Sequence, residues 1–331
     1  MKKTNLNLGK NCEILVVRFI FYVTIGILLV TVPPFLSSYL QSLVSRILIF
    51  AIFAMSLDII FGYTGLISLG HAAYFGMGSY AVGILTLHYG IESFWIVAPL
   101  AIFIVAFTAA VFGVLALRVS GMFFLMITFA LGQLLVSVAI KWYSMTGGVY
   151  GLTGIPRPSL GLSGFRWNNT YFYYFVLLIF AICFFVLYKF VHSPFGLSLK
   201  GIRENESRMQ AMGYNTWLYK YIAFIVSGVF GGIAGILFAY FNRLINPAYL
   251  DVMTSSSVML MVILGGAGTL YGPVIGAALL ILVEYFAGIY LPKRWPLILG
   301  GVFVITIMYA RAGIGVYLSK FGKELISRWK C

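Results

Sequence analysis

The chain has 331 residues, of which 62% are hydrophobic and only 9% charged. A soluble domain carries roughly 25% charged residues because its surface must face water, so this composition excludes a water-soluble globule and leaves a lipid-embedded protein. The 22 Lys and Arg against 8 Asp and Glu would suggest nucleic acid in a soluble chain. Here the basic residues sit between apolar segments and in the tail, the pattern of positively charged cytoplasmic loops. Cys12, Cys183 and Cys331 show no CxxC spacing, so neither a disulfide framework nor a zinc site is implied.

About 20 apolar residues are needed to cross the hydrocarbon core. Such runs fall at 14–32, 42–61, 70–88, 94–117, 121–141, 171–191, 219–241, 250–266, 273–290 and 295–311. The expected fold is all-α, a polytopic transmembrane helical bundle of about ten spans, forming a single domain over 1–331. Lys2 and Lys3 resemble the basic start of a signal peptide. The run 14–32 is too long for one, however, and no small-residue cleavage site follows it closely. It reads as an uncleaved first span with Arg18 reaching to the near interface. Ten spans put both termini on one side. With that side cytoplasmic, fourteen basic residues lie inside and seven outside, Arg18 set aside, which favours cytoplasmic termini and a cytoplasmic tail at 312–331.

Between the second and third runs stands Gly62-Tyr63-Thr64-Gly65-Leu66-Ile67-Ser68-Leu69-Gly70-His71. Glycine lets a helix break and lets backbones approach closely. Two readings fit these residue types. One is a discontinuous helix in which Gly62, Thr64, Gly65, Ser68, Gly70 and His71 line a translocation path, since backbone breaks at membrane depth occur where they are buried or line a cavity. The other is a hairpin turn followed by a tightly packed helix. His71 has no histidine partner at ligand spacing, because His88 and His192 lie elsewhere. It reads as a packed, hydrogen-bonded histidine rather than a metal ligand.

Asp58 and Glu284 are acidic residues inside apolar runs, near the inner end of the second and in the outer half of the ninth. Each can reach an interface or a helix partner. No run carries a mid-bilayer acidic pair of the kind proton-coupled carriers use.

Two connections are longer than turns. The outer one, 142–170, contains Thr146, Gly147, Gly148 and Gly151 and is too glycine-rich for a helix. It suits either an outer docking surface or a plain connector. The inner one, 192–218, is helix-compatible from Leu197 to Met212. Leu199, Ile202, Met209 and Met212 partly fit a three-to-four spacing, and Gly213 stands where a helix stop belongs. A short helix lying on the cytoplasmic surface is expected there. Near the end, Gly265-Gly266-Ala267-Gly268-Thr269 echoes the first glycine turn: each lies between two spans, as in the weak internal symmetry of many transporters. Nothing matches GxxxxGK[ST], a nucleophile elbow or HExxH, so phosphate cradling and hydrolytic chemistry have no residues here. No cofactor or metal is expected.

Five stretches together resemble the permease subunits of branched-chain amino-acid ABC importers, in particular the M-type subunit. They are the Gly62–Ala73 run, Thr146-Gly147-Gly148 with Gly151-Leu152, Ser193-Pro194-Phe195-Gly196, Ile202-Arg203-Glu204-Asn205-Glu206 with Gly213, and Leu264-Gly265-Gly266-Ala267-Gly268-Thr269-Leu270-Tyr271-Gly272-Pro273. They occur in the family's order between residues 55 and 275. The resemblance implies the ABC importer permease fold. It also implies that the inner helix, with Gly196, Ile202, Arg203, Glu204, Asn205, Glu206, Arg208 and Gly213, docks on an ATPase subunit as a coupling helix. Gly265, Gly266 and Gly268 would join the first turn at the path. The partners implied are two ATPase subunits, a second homologous permease and an extracytoplasmic substrate-binding protein. Family members carry small residues after the Asn-Glu pair, where this chain has the bulkier and more basic Ser207-Arg208-Met209.

Three alternatives differ in class or substrate. A urea importer permease of the same superfamily is disfavoured by the Gly265–Pro273 segment. A secondary carrier would work without ATPases and would not need the surface helix at 197–212. A membrane enzyme would need a paired acid, metal or nucleophile cluster, which the sequence lacks.

Overall fold

The computed structural model describes residues 37–161 and 167–290, together with residues 31, 297, 300, 301, 304, 308 and 313. Almost all of the runs at 14–32 and 295–311, and of the tail at 312–331, lie outside the described residues. Within them, six helices are long and apolar enough to cross a membrane. These are α1 (Ser38–Asp58) with a π-helical turn at Ile59–Tyr63, α3 (Phe94–Ala116), α4 (Met122–Lys141), α6 (Asn169–His192), α9 (Thr216–Asn242) and α11 (Tyr271–Tyr290). The short helix α5 (Tyr143–Thr146) follows α4.

The runs at 70–88 and 250–266 form shorter helices than expected, α2 (Ala72–Leu87) and α10 (Val252–Gly265). At 1.5 Å per residue they rise only about 24 and 21 Å, less than the roughly 30 Å hydrocarbon core. The shortfall has a physical source in each case. Residues 64–71 run as irregular chain before α2 begins, and Gly266, at φ 106°, ends α10.

Helices α1 and α9 form the centre of the bundle, with 72% of their apolar windows buried against 22% for α4 and α6. Lipid tails are as apolar as leucine, so close backbone approach rather than hydrophobicity holds such helices together. Along α9, Gly232 lies against Gly78 of α2 and Gly235 against the Phe75 carbonyl, while Ser79 donates to the Gly235 carbonyl at 2.8 Å. Phe50, Phe53, Phe75 and Phe238 form a ring cluster between α1, α2 and α9.

At one end of the bundle the connection after α4 folds back on the connection after α9. The two-residue strands β1 (Leu152–Thr153) and β2 (Leu244–Ile245) pair antiparallel, Leu152 opposite Ile245. At the other end lie the two glycine turns and the two helices α7 (Pro194–Glu204) and α8 (Glu206–Ala211).

Candidate translocation and coupling site

The inner connection is two helices joined at Asn205, not the single helix expected from the sequence. Ser193 caps α7 by accepting from the Gly196 N–H at 3.3 Å, with Pro194 at the first helical position, where its missing N–H costs nothing. Asn205 then takes an extended conformation, φ −159° and ψ 99°, and its side chain accepts from the Arg208 N–H at 2.9 Å. An Asn that caps the following turn competes with helix continuation, which is why propensity alone read straight through it. The two arms close on one another where Met209 packs against Gly201. Lys220 of α9 clamps the second arm through a 2.6 Å ion pair with Glu206.

Gly213 ends this unit. Its N–H donates to Gln210 O at 2.9 Å and the Tyr214 N–H to Met209 O at 3.1 Å, the paired bonds of a Schellman motif. Its φ of 86° lies in the left-handed region that only glycine enters without strain.

Of the residues expected on the coupling helix, Gly196 and Ile202 are buried, whereas Arg203, Glu204, Asn205, Arg208 and Gly213 are exposed and Glu206 is half-buried. Arg203 nonetheless reaches the first glycine turn, where its guanidinium donates to the Gly62 carbonyl. Its aliphatic stem lies against Gly65 and its Nη1 against Gly268. One turn earlier, Lys200 sits 5.1 Å from the centre of the Tyr63 ring.

The structure thus brings the two glycine turns together under α7. Asp58, fully buried at the end of α1, accepts from the Gly268 N–H at 2.7 Å through Oδ1. A Cβ at Gly62 would stand 2.0 Å from Asp58 Oδ1 and 2.3 Å from Gly268 N, distances no side chain tolerates. Gly265 and Gly266 belong to the same end, with Gly265 pressed on the Gly272 backbone.

The rest of the first glycine segment passes inward. Thr64 Oγ1 donates to Ile60 O, the π turn having loosened the α1 ladder there; such insertions recur at functional sites. Ser68 is buried with its hydroxyl unpartnered, and Gly70 lies on the Thr128 backbone of α4. Ala72 N–H donates to Ser255 Oγ of α10 at 2.8 Å. Thr64, Ser68, Gly70 and His71 of this irregular chain are buried, whereas Gly65 and Ile67 are exposed. His71 is fully buried, 2.9 Å from Ser56 Oγ and 3.4 Å from Ser227 Oγ, and stacked on Phe53. It is a packed and hydrogen-bonded side chain joining α1, α2 and α9.

The outer-loop residues gather at the opposite end. Thr146 donates to Ala139 O at 2.6 Å, Gly147 lies on the Gly151 carbonyl, Gly148 on the Tyr143 ring and Gly151 on Ile245. Met145 and Leu152 of this connection cover the C-terminal end of α2. Near it, Arg157 donates to Asn169 at 2.9 Å and lies over Phe172; burial and the neighbouring Arg243 hold its pKa below the usual value. The sequence placed Asp58 within reach of an interface or a helix partner without naming that partner. The signal for Asp58 was its lone charge in an apolar run, but its partner Gly268 stands 210 positions away.

A multi-pass helical membrane protein with paired glycine turns beneath a two-armed surface helix is the class these features define. Residues 39–310 match the family described as the permease component of the branched-chain amino acid transport system, and the chain belongs to that family. It is 26% identical to the high-affinity branched-chain amino acid transport system permease protein LivM of Escherichia coli, over 89% of this chain and 74% of that one. A probable LivM permease of Methanocaldococcus jannaschii is 26% identical, over 75% of this chain and 82% of its own. The LivH permease of Escherichia coli is 24% identical over 35% of this chain and 38% of that protein. No solved structure matches.

Proposed function

We propose that this chain is the M-type permease subunit of an ATP-driven importer of branched-chain amino acids, forming half of the translocation path. The observation that carries the reading is the insertion of Arg203, from the surface helix α7, between the turns at Gly62 and Gly268. A rigid push on α7 and α8 from an ATPase would act directly on the ends of α1 and α11. Two ATPase subunits bind the exposed residues Glu204, Asn205 and Arg208, and hydrolyse ATP on their own chains. A second homologous permease completes the path, and an extracytoplasmic binding protein delivers the substrate. The similarity to both LivM and LivH relatives supports a two-permease assembly.

The chain makes ten spans as one transmembrane domain, with both termini, the 192–218 loop and the 312–331 tail cytoplasmic. Gly62, Thr64, Gly65, Ser68, Gly70, His71, Gly265, Gly266 and Gly268 form or support the inner part of the path, and the 142–170 cover faces the binding protein. A substrate without net charge suits a bundle with few intramembrane charges.

Co-purification in mild detergent tests the assignment. Wild type should bring down ATPase chains, and the Glu206→Lys, Gly213→Pro double variant should not. It breaks the Lys220 clamp and places proline where φ is 86° and an N–H is hydrogen-bonded. Wild type that purifies alone and transports in liposomes without ATP would establish a secondary carrier instead.

A further inference from the structure

Beyond the coupling end, α1 and α11 are joined a second time. Arg46 Nη2 donates to both carboxylate oxygens of Glu284, at 3.3 and 3.2 Å. Arg46 stands eight residues into α1 and Glu284 six residues before the end of α11. The pair therefore lies about 9–12 Å inside the helix ends opposite the glycine turns. Charges at such a depth are costly and face a bundle interior or a water-filled cavity.

Yet the two side chains remain 39% and 31% exposed. Hydrocarbon cannot solvate that surface, so an aqueous path or a partner must cover it. The setting is aromatic. The Arg46 guanidinium lies 5.7 Å from the centre of the Phe50 ring, and Tyr39 and Tyr285 pack at 5.5 Å on the outer side.

We propose that Arg46 and Glu284 form a recognition point for a zwitterionic α-amino acid in the outer half of the path. This inference rests on the importer reading above. The guanidinium takes the α-carboxylate, Glu284 takes the α-ammonium, and the rings of Phe50, Tyr39 and Tyr285 bound the space for an aliphatic side chain. In the substrate-free chain the two groups neutralise each other, which keeps the cost of the unoccupied site low. A zwitterion presents the complementary charges in the same order and substitutes for that pairing without adding net charge to the membrane. Among the described residues only Nη2 of the five-donor guanidinium fork is engaged by Glu284, and the planar fork can present two N–H groups to a carboxylate in bidentate fashion. Because Asp58 ends α1 and Gly268 lies in the turn that leads into α11, a movement imposed at the Arg203 end alters the spacing of this outer pair.

The test uses the whole importer, with its ATPases, second permease and binding protein, in proteoliposomes. Leucine moved per ATP hydrolysed is measured for wild type, for Arg46→Met with Glu284→Met, and for Glu284→Gln alone, with co-purification scored in parallel. A half-exposed ion pair that serves only as a strut contributes little and is replaceable by apolar side chains. The recognition reading expects the double Met variant to assemble and to lose transport per ATP by about tenfold to a hundredfold, the worth of a charged hydrogen bond, with Glu284→Gln falling in the same direction. Wild-type transport ratios in the double Met variant would overturn the inference by making the pair a strut, and its failure to assemble would overturn it by making the pair an assembly contact. If wild type shows no ATP-dependent leucine uptake, the importer reading fails first, independently of these variants.

Discussion

The α1–α11 pair is fastened at both ends, and the two fastenings are built from opposite materials. At the glycine-turn end a fully buried Asp58 takes a backbone N–H, and the approach is so close that Gly62 leaves no room for a Cβ. At the far end two half-exposed side chains, Arg46 and Glu284, meet through flexible stems. A buried carboxylate on a backbone donor tolerates little movement without leaving a polar group unsatisfied. A half-exposed ion pair can open and re-form at small cost. The first suits a joint that transmits force, the second a contact that exchanges partners.

Substitutions can break this contrast, and the largest effect is expected at Gly62. A Gly62→Val change should cost on the order of 3 kcal/mol or more, because both atoms it would strike belong to the joint itself. Loss of monodisperse protein in detergent chromatography would register it, and a well-folded variant would refute the tight approach.

Asp58→Ala comes next. It strands the Gly268 N–H and should lower stability by about 1–3 kcal/mol in a detergent melting experiment, while Asp58→Asn, which keeps an acceptor, should cost clearly less. Equal losses in the two would mean that charge, not the hydrogen bond, holds the joint.

Arg203→Ala removes one donor from a carbonyl near the surface and should cost only about 1 kcal/mol. Its main effect should appear in ATP consumed per substrate moved. The smallest change in stability is expected for Arg46→Gln, under about 1 kcal/mol by the same melting assay. A larger loss than for Asp58→Ala would reverse the assignment of rigid and exchangeable ends.

Much of the fold was legible because lipid imposes simple rules. The six long helices begin and end within a few residues of runs visible in the composition, since a membrane span needs a continuous apolar stretch whatever it packs against. Gly213 was also readable, because a helix stop depends on local backbone freedom. The break at Asn205 was not: helix propensity there is adequate, and only the capping bond to Arg208 and the clamp from Lys220, 14 residues past Glu206, make two arms the better solution. The irregular chain before α2 was legible as a glycine break, but the contacts that hold it, from Thr128 and Ser255 in distant segments, were not.

For the site, residue types went some way. The two glycine turns could be picked out as breaks, and the lone acids Asp58 and Glu284 as charges that need partners in an apolar run. The sequence by itself determined that this is a polytopic helical membrane protein with glycine breaks and a charged surface helix, because those features follow from local composition and lipid solvation. Only the tertiary structure decided that the two breaks touch, that Arg203 turns inward between them, and that Arg46 meets Glu284 across 238 positions. Pairings at that separation depend on how helices pack across the bundle, and no local propensity carries that information.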